Sequence, residues 1–437
     1  MAEILPFRAL HYNSQAAGAL QNVVTQPYDK ITPALQEHYY ASSSYNLARI
    51  IRRRADASEA DPYAAAAGDL AAWTARGVLE QDAAPALYPY DQEYAVPGEA
   101  GARKRRRGFI GLCRLEDYAS GVIFRHEETL SGPKADRLAL LRATRAHFGQ
   151  IFLLYSDPEG AVERELADWT QRAPAWQAVD DELGTRHEVW RVSSAGALAK
   201  IQDAMRGRKL VIADGHHRYE TALAYRNGIR AQGRGQSRAE YVMATFVRME
   251  SDGLAILPTH RVVHGLADFD WTRFLGGARP LFEIAEVAAP EPSQADSWRE
   301  VLALAGPGRP AVVAYAGPGR TALLALRDDA GRRELADVPA GLARLDVFVL
   351  HRLLIEGALG IDREAVREER NLHYEREAGA ALRAVNEGRA QMCFLMRPTP
   401  IEAVRDNAFA GQVMPQKSTD FYPKLLSGLT IYSLDRD

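Results

Sequence analysis

Residues 209–226 read KLVIADGHHRYETALAYR, and this stretch decides the fold class. Leu210, Val211, Ile212 and Ala213 form a short apolar run of the kind shown by interior strands. Tyr219, Ala222, Leu223 and Tyr225 then suit a helix packed on that strand. Between the two, Asp214 and Gly215 mark a tight turn, because glycine lets the backbone bend sharply and approach a ligand. The pattern predicts a strand–turn–helix core. A helix starting here would present unpaired N–H groups and a partial positive charge, a natural seat for phosphate. Arg218 would add a bidentate grip on phosphate oxygens, while His216 and His217 would donate hydrogen bonds or move protons. Asp214 would hold a divalent cation or orient a histidine. A helix cap alone explains Asp214, but not the two imidazoles and the guanidinium that follow it.

Working outward, helical and strand-like runs alternate without a repeat. PYAAAAGDLAAWTARGVL (62–79), DRLALLRATRAHF (136–148) and GALAKIQDAMRG (196–207) read as helices. IFLLYSD (151–157) and YVMATFVRM (241–249) read as strands, and LAILPTHRVV (254–263) as a strand broken at Pro258. EVAAPEPSQAD (286–296) has the composition of a linker. The chain is therefore expected to be mixed α/β, with a main domain over 1–285 and a smaller α/β lobe over 298–400. Residues 401–437 would form a C-terminal segment packing back on the main domain. One basic run, Arg103 to Arg107, lies between LYPYDQEYAV and GFIGLCRLE, which places it at the tip or shoulder of a hairpin. Such a run is expected to be a solvated loop without a catalytic role.

Composition narrows the function classes. The 437 residues are 47% hydrophobic and 25% charged, as in ordinary globular proteins. Net charge is −3, so broad nucleic-acid binding has no electrostatic support. No run is long and apolar enough to span a bilayer, and the N-terminal residues lack a signal-peptide pattern, so a cytoplasmic location is expected. The two cysteines, Cys113 and Cys393, each sit in an apolar segment and read as packed small hydrophobes.

Other polar clusters could complete a site. HEETL places His126, Glu127 and Glu128 at the end of the run GVIF, and strand ends commonly face clefts in α/β folds. Glu127 could serve as general base, with Glu128 as its substitute. MPQKST offers Lys417 as a point charge for phosphate and Ser418 and Thr419 as hydroxyl donors, without the glycine spacing of a Walker loop. Tyr28, Asp29 and Asn46 could line the same cleft or equally be structural turns. His260 and Arg261 could reach it, whereas His351 reads as a partly buried helix residue. Adjacent histidines diverge by about 100° on a helix, and HExxH and CxxC spacings are absent, so a zinc site is not expected. Magnesium arriving with a nucleotide needs only one or two carboxylates, with Asp214 as its ligand.

These blocks together carry a resemblance. QPYDKI, SYNLARI, RRGFIGL, HEETL, DRLALLRAT, IFLLY, IADGHHRYETAL, LPTHR, LDVFVLHRLL and MPQKSTDFYPKLLSG resemble the domain of unknown function 1015 family of bacterial and archaeal proteins. The DGHHR core is in turn similar to the signature of archaeal free-serine kinases in the ParB/sulfiredoxin-like superfamily. That second likeness implies a phosphate cradle at Gly215, His216, His217 and Arg218, with Asp214 contacting metal or substrate. The activity this likeness implies is phosphate transfer to a small metabolite, with serine or phosphoserine as the related compounds. A phosphatase or nucleotide hydrolase, or a non-catalytic nucleotide sensor, would use the same cradle.

Overall fold

The computed structural model describes residues 2–54, 61–98, 101, 103–128, 132–233, 237–288 and 298–435. It divides into two compact units. The first comprises Met1–Arg125, Thr129–Ala255 and Pro423–Asp437, and the second His126–Glu128 and Ile256–Tyr422. The boundary thus falls at 256 rather than 285. The physical reason is pairing: strand His260–Val263 is bonded to Leu372–Glu375 on one side and to Met392–Leu395 on the other, so it belongs to the later sheet. The C-terminal segment is shared, since residues up to Tyr422 go with the second unit and only the last fifteen with the first. Most of the expected linker lies outside the described residues.

Among the described residues, the first unit is built on a nine-stranded mixed sheet. Leu210–Asp214 lies inside it, parallel to Ile123–Phe124 and antiparallel to Ile151–Tyr155. Tyr241–Arg248 runs parallel to Ile151–Tyr155 and antiparallel to Arg103–Arg114, and Tyr88–Ala95, Arg186–Val189 and Gln177–Asp180 continue the sheet. Leu210, Val211 and Ile212 are fully buried, as their apolar run requires. Helix His216–Ala231 packs on this core through Tyr219 and Ala222. A second cluster gathers the N-terminal residues with Trp73, Leu140, Phe148 and Ile431. Both cysteines are buried and free, as read from the sequence.

The basic run is not a loop. Arg103–Arg114 is one continuous strand, and its alternation sends neighbouring arginines to opposite faces. Arg105 and Arg107 share the Asp91 carboxylate, while Arg106 points inward and is 1% exposed. Its Nε donates to Gln92 Oε1 at 3.0 Å, and its guanidinium lies 4.7 Å from the Phe152 ring centre.

Among the described residues, the second unit holds a six-stranded antiparallel sheet ordered Phe282–Glu286, Thr321–Leu326, Ala311–Tyr315, Met392–Leu395, His260–Val263, Leu372–Glu375. Helix Ala378–Asn386 covers it, burying Ala381 and Leu382 against Trp298 and Val313. Among the described residues no helix is long and apolar enough to cross a membrane.

Candidate functional site

In the first unit the DGHHR turn forms as its sequence indicates. The strand register shifts between Ile212 and Asp214, which turns the end of the strand and re-aims the carboxylate. Gly215 follows at φ +91°, ψ 25°, a left-handed conformation that disfavours side chains. A Cβ there would stand 3.1 Å from the Arg218 guanidinium carbon, so the turn calls for glycine chiefly through its backbone conformation, and a side chain would also make the guanidinium give by a few tenths of an ångström. The helix starts at His216, and the Tyr219 N–H makes its bond to the Gly215 carbonyl at 2.9 Å. His216, His217 and Arg218 fill the first turn, each half-buried.

Asp214 is the electrostatic centre. One carboxylate oxygen accepts from Lys424 Nζ at 3.0 Å and the other from Arg218 Nη2 at 2.5 Å. All three side chains are largely shielded, with 21%, 10% and 15% of their surface exposed. Burial acts to raise the Asp214 carboxyl, but Lys424, then Arg218 and Lys30, outweigh it and hold the group well below the usual carboxylate range. The result is two cations paired with one carboxylate, with Lys30 adding to the positive field there, at the N-terminus of a sixteen-residue helix. Such a surplus favours an anion.

Arg218 also donates to the Gln150 carbonyl at 2.5 Å, so its fork is engaged by protein groups rather than left open for a bidentate phosphate grip. It borders an open cleft of about 560 Å³ of empty space, lined also by Pro27, Tyr28, Arg137, His147 and Ser427. The Tyr28 ring lies 4.3 Å below the Arg137 guanidinium, and its hydroxyl is shifted up by burial and by Asp29. Tyr28 therefore reaches the cleft, while Asp29 is exposed beside it. Asn46 does not reach it. Fully buried, its Oδ1 caps the Ala48 N–H at 2.9 Å and its amide donates to the Asn22 carbonyl at 2.8 Å, a structural cap.

As for a metal, Asp214 spends one oxygen on each of its two cations, so a divalent ion bound directly there would have to displace one of them. Among the described residues no three His, Cys, Asp or Glu side chains converge in a metal-binding group. The residues fit an anion better than a directly coordinated cation.

The second unit collects HEE and KST into their own cluster. Glu127 pairs with Met414 in a parallel bridge, and its carboxylate accepts the N–H of Lys417, which is held at φ +57°. Glu127 is 15% exposed and Glu128 is exposed, so the inward carboxylate is Glu127. His126 Nε2 meets Thr419 Oγ1 at 2.8 Å and Glu127 at 3.7 Å. Ser418 Oγ donates to the Pro415 carbonyl, and the Ser418 carbonyl accepts from Thr399 at 2.7 Å, which makes Ser418 a loop brace. Lys417 itself is exposed.

Two expected ligand residues of this unit are structural. Arg261 is 1% exposed and directs its donors to the carbonyls of Thr259, Gln416 and Lys417 and to His351 Nε2. It braces the KST loop from beneath. Burial pushes it down to about 10. His260, also 1% exposed, accepts the Met396 N–H on Nδ1 at 3.2 Å and meets Trp298 edge-on. Burial pushes it down to about 3, so it is a neutral core histidine.

Lys424 is not among the site residues the sequence points to. The signal that could have found it is the PKLLSG block, where a lone lysine directly precedes two leucines and follows Phe421, Tyr422 and Pro423.

Comparison with known proteins places the chain in a family. A profile described as "Protein of unknown function (DUF1015)" matches residues 4–348, and the chain belongs to that family. The match ends before MPQKST and PKLLSG. No curated protein matches by sequence. Among solved structures, a conserved hypothetical protein from Pyrococcus furiosus is similar at 12% identity and a TM-score of 0.36, over 72% of this chain and 93% of its own. A free serine kinase in complex with AMP shows 14% identity and a TM-score of 0.34, over 70% and 88%. SbnI from Staphylococcus aureus, truncated at its C-terminus, shows 11% identity and a TM-score of 0.37, over 75% and 90%. Similarity of that extent does not fix an activity.

Proposed function

We propose that the protein is a kinase-like phosphotransferase for a small metabolite, serine or phosphoserine being the first acceptors to try, and that the phosphates of its ligand sit at the DGHHR turn. One observation carries this reading: Asp214 pairs with both Lys424 and Arg218, in the field of Lys30, at an N-terminus opened by a left-handed glycine. One carboxylate between two paired cations keeps them in place without cancelling them, and a phosphate would meet both the residual charge and the helix dipole. Arg218, already fixed by Asp214 and Gln150, would act as a preorganised charge, and His216 and His217 would donate to phosphate oxygens or move a proton. Transfer chemistry of this kind depends mainly on positioning and charge stabilisation. Glu127, the base expected from sequence, belongs to the second unit and is assigned no step.

The test is a thermal-shift screen with ADP, ATP, phosphoserine, serine and pyrophosphate, each with and without Mg²⁺, followed by product analysis. A ligand present at 100 times its dissociation constant should add about 2.7 kcal/mol of stability. A nucleotide that stabilises the protein and passes phosphate to an acceptor, with both effects lost in His217→Ala, supports the proposal. Release of inorganic phosphate alone would make it a hydrolase, and binding without turnover a sensor. No shift with any phosphate compound would overturn the phosphate seat itself.

A further inference from the structure

We propose that Gln92 and Arg106 are positioning residues for the Asp214 site: they fix the backbone at Pro423–Leu426 so that the Lys424 ammonium is held on the Asp214 carboxylate. This deepens the reading of the DGHHR turn as a phosphate seat and rests on it for its functional meaning. Lysine is a point charge on a flexible four-carbon stem, and its geometry is only as definite as the backbone that carries it.

Here that backbone is bound at nearly every peptide by a buried side chain. Arg106 donates to the Pro423 carbonyl. Gln92 Nε2 donates to the Lys424 carbonyl at 2.9 Å, and Gln92 Oε1 in turn accepts from Arg106 Nε at 3.0 Å. The Leu426 N–H reaches Tyr90 Oη at 3.5 Å, and the Leu426 carbonyl accepts from Gln150 Nε2 at 3.3 Å. Gln92, Arg106 and Gln150 are each 1% exposed. Gln150 ties the two halves of the site together, because its own main-chain carbonyl is the acceptor for Arg218. Behind this layer Tyr90 Oη meets His187 Nδ1 at 2.6 Å, and His187 Nε2 meets Asp181 at 3.2 Å. Burying an arginine among glutamine, tyrosine and carbonyl groups is costly compared with an apolar filling. The contacts it makes converge on the one short segment that supplies Lys424.

The experiment uses the full chain with [¹³Cγ]aspartate and follows the Asp214 carboxyl by NMR titration, its resonance assigned through Asp214→Asn. Pyrophosphate affinity is measured on the same proteins by calorimetry. Lys424→Met should move the Asp214 titration upward in pH, and Gln92→Met should move it the same way. The double variant should match Lys424→Met alone, because Gln92 acts through Lys424 and coupled residues are not additive. Pyrophosphate affinity should fall about ten-fold in each single variant and no further in the double, with ten-fold being about 1.4 kcal/mol. An unmoved carboxyl titration in folded Gln92→Met, or shifts that add in the double variant, would overturn the positioning role. Should Gln92→Met not fold, Tyr90→Phe loosens the same segment from its other end under the same criteria. Failure of pyrophosphate to bind the unaltered protein would instead strike the phosphate reading, and the carboxyl titration would still decide whether Gln92 positions Lys424.

Discussion

At the scale of single residues, the Asp214 carboxylate between Lys424 and Arg218 has consequences for stability that do not depend on the ligand. Replacing Lys424 by Met leaves Asp214 with Arg218 and strands part of a shielded ion pair. A loss of about 1–3 kcal/mol in urea unfolding is expected, below the full cost of exposing an unpaired buried charge. The pH dependence has a definite sign. Because the folded-state carboxyl is held low by its cations, the contribution of Asp214 is complete above the ordinary aspartate value of about 4 and is lost as pH falls below it. Asp214→Asn should be less stable at neutral pH, with a shallower acid limb in a pH series of melting curves. His260 contributes in a different window. Its folded value of about 3 lies under an unfolded value of about 6.5, so stability is whole above pH 6.5 and declines as pH falls towards 3. His260→Gln should flatten that interval, and an unchanged slope between pH 6 and 4 would show that the buried imidazole is not what titrates there.

At the scale of elements, the strand–turn–helix at 210–231 is legible because its information is local: an apolar run, a glycine at a left-handed turn, and a helical spacing after it. Gly215→Ala should therefore be costly, about 1–2 kcal/mol from the left-handed backbone alone, with further loss as the new methyl pushes on Arg218. Melting temperature together with pyrophosphate binding checks this. The basic run lies at the shoulder of a hairpin, as its flanking segments indicate, but it forms strand rather than solvated loop, and this is not legible for the opposite reason. Five consecutive cations look like a solvated loop, and only the pairing of Arg103–Arg114 with Tyr88–Ala95 shows that alternate members find Asp91 on one face and Gln92 on the other. Asn46 and His260 carry polar groups that suit a ligand equally well on paper. Asn46 is the structural turn that its residue type equally allows, its Oδ1 on the N–H two residues on. His260 is made structural by burial and by a bond to the Met396 N–H, 136 positions away, which no local pattern encodes. The Glu127–Lys417 contact joins residues 290 positions apart, through a main-chain N–H rather than the lysine charge that drew attention to the motif.

At the scale of the whole molecule, the first unit is assembled from separated stretches of chain, and its last stretch is short. Pro423–Asp437 supplies Lys424, the Thr25–Ser427 bridge and the pairing of Tyr432–Ser433 with Ala146–His147. It also buries Ile431 and Tyr432. A chain ending at Tyr422 should lose the cooperative unfolding of the first unit, visible as a broadened or missing transition in calorimetry, even though every residue of DGHHR is retained. Distance along the sequence explains why the DGHHR turn could be located but not completed: 210 positions separate Lys424 from Asp214. The most direct measurement is pyrophosphate and ADP binding by calorimetry to the unaltered protein, Lys424→Met and Asp214→Asn, with circular dichroism confirming that each is folded. Saturable binding to the unaltered protein, weakened at least ten-fold in both variants, a difference of about 1.4 kcal/mol or more, is the expected result. Equal affinity in all three, or no binding at all, would contradict a phosphate seat at the DGHHR turn.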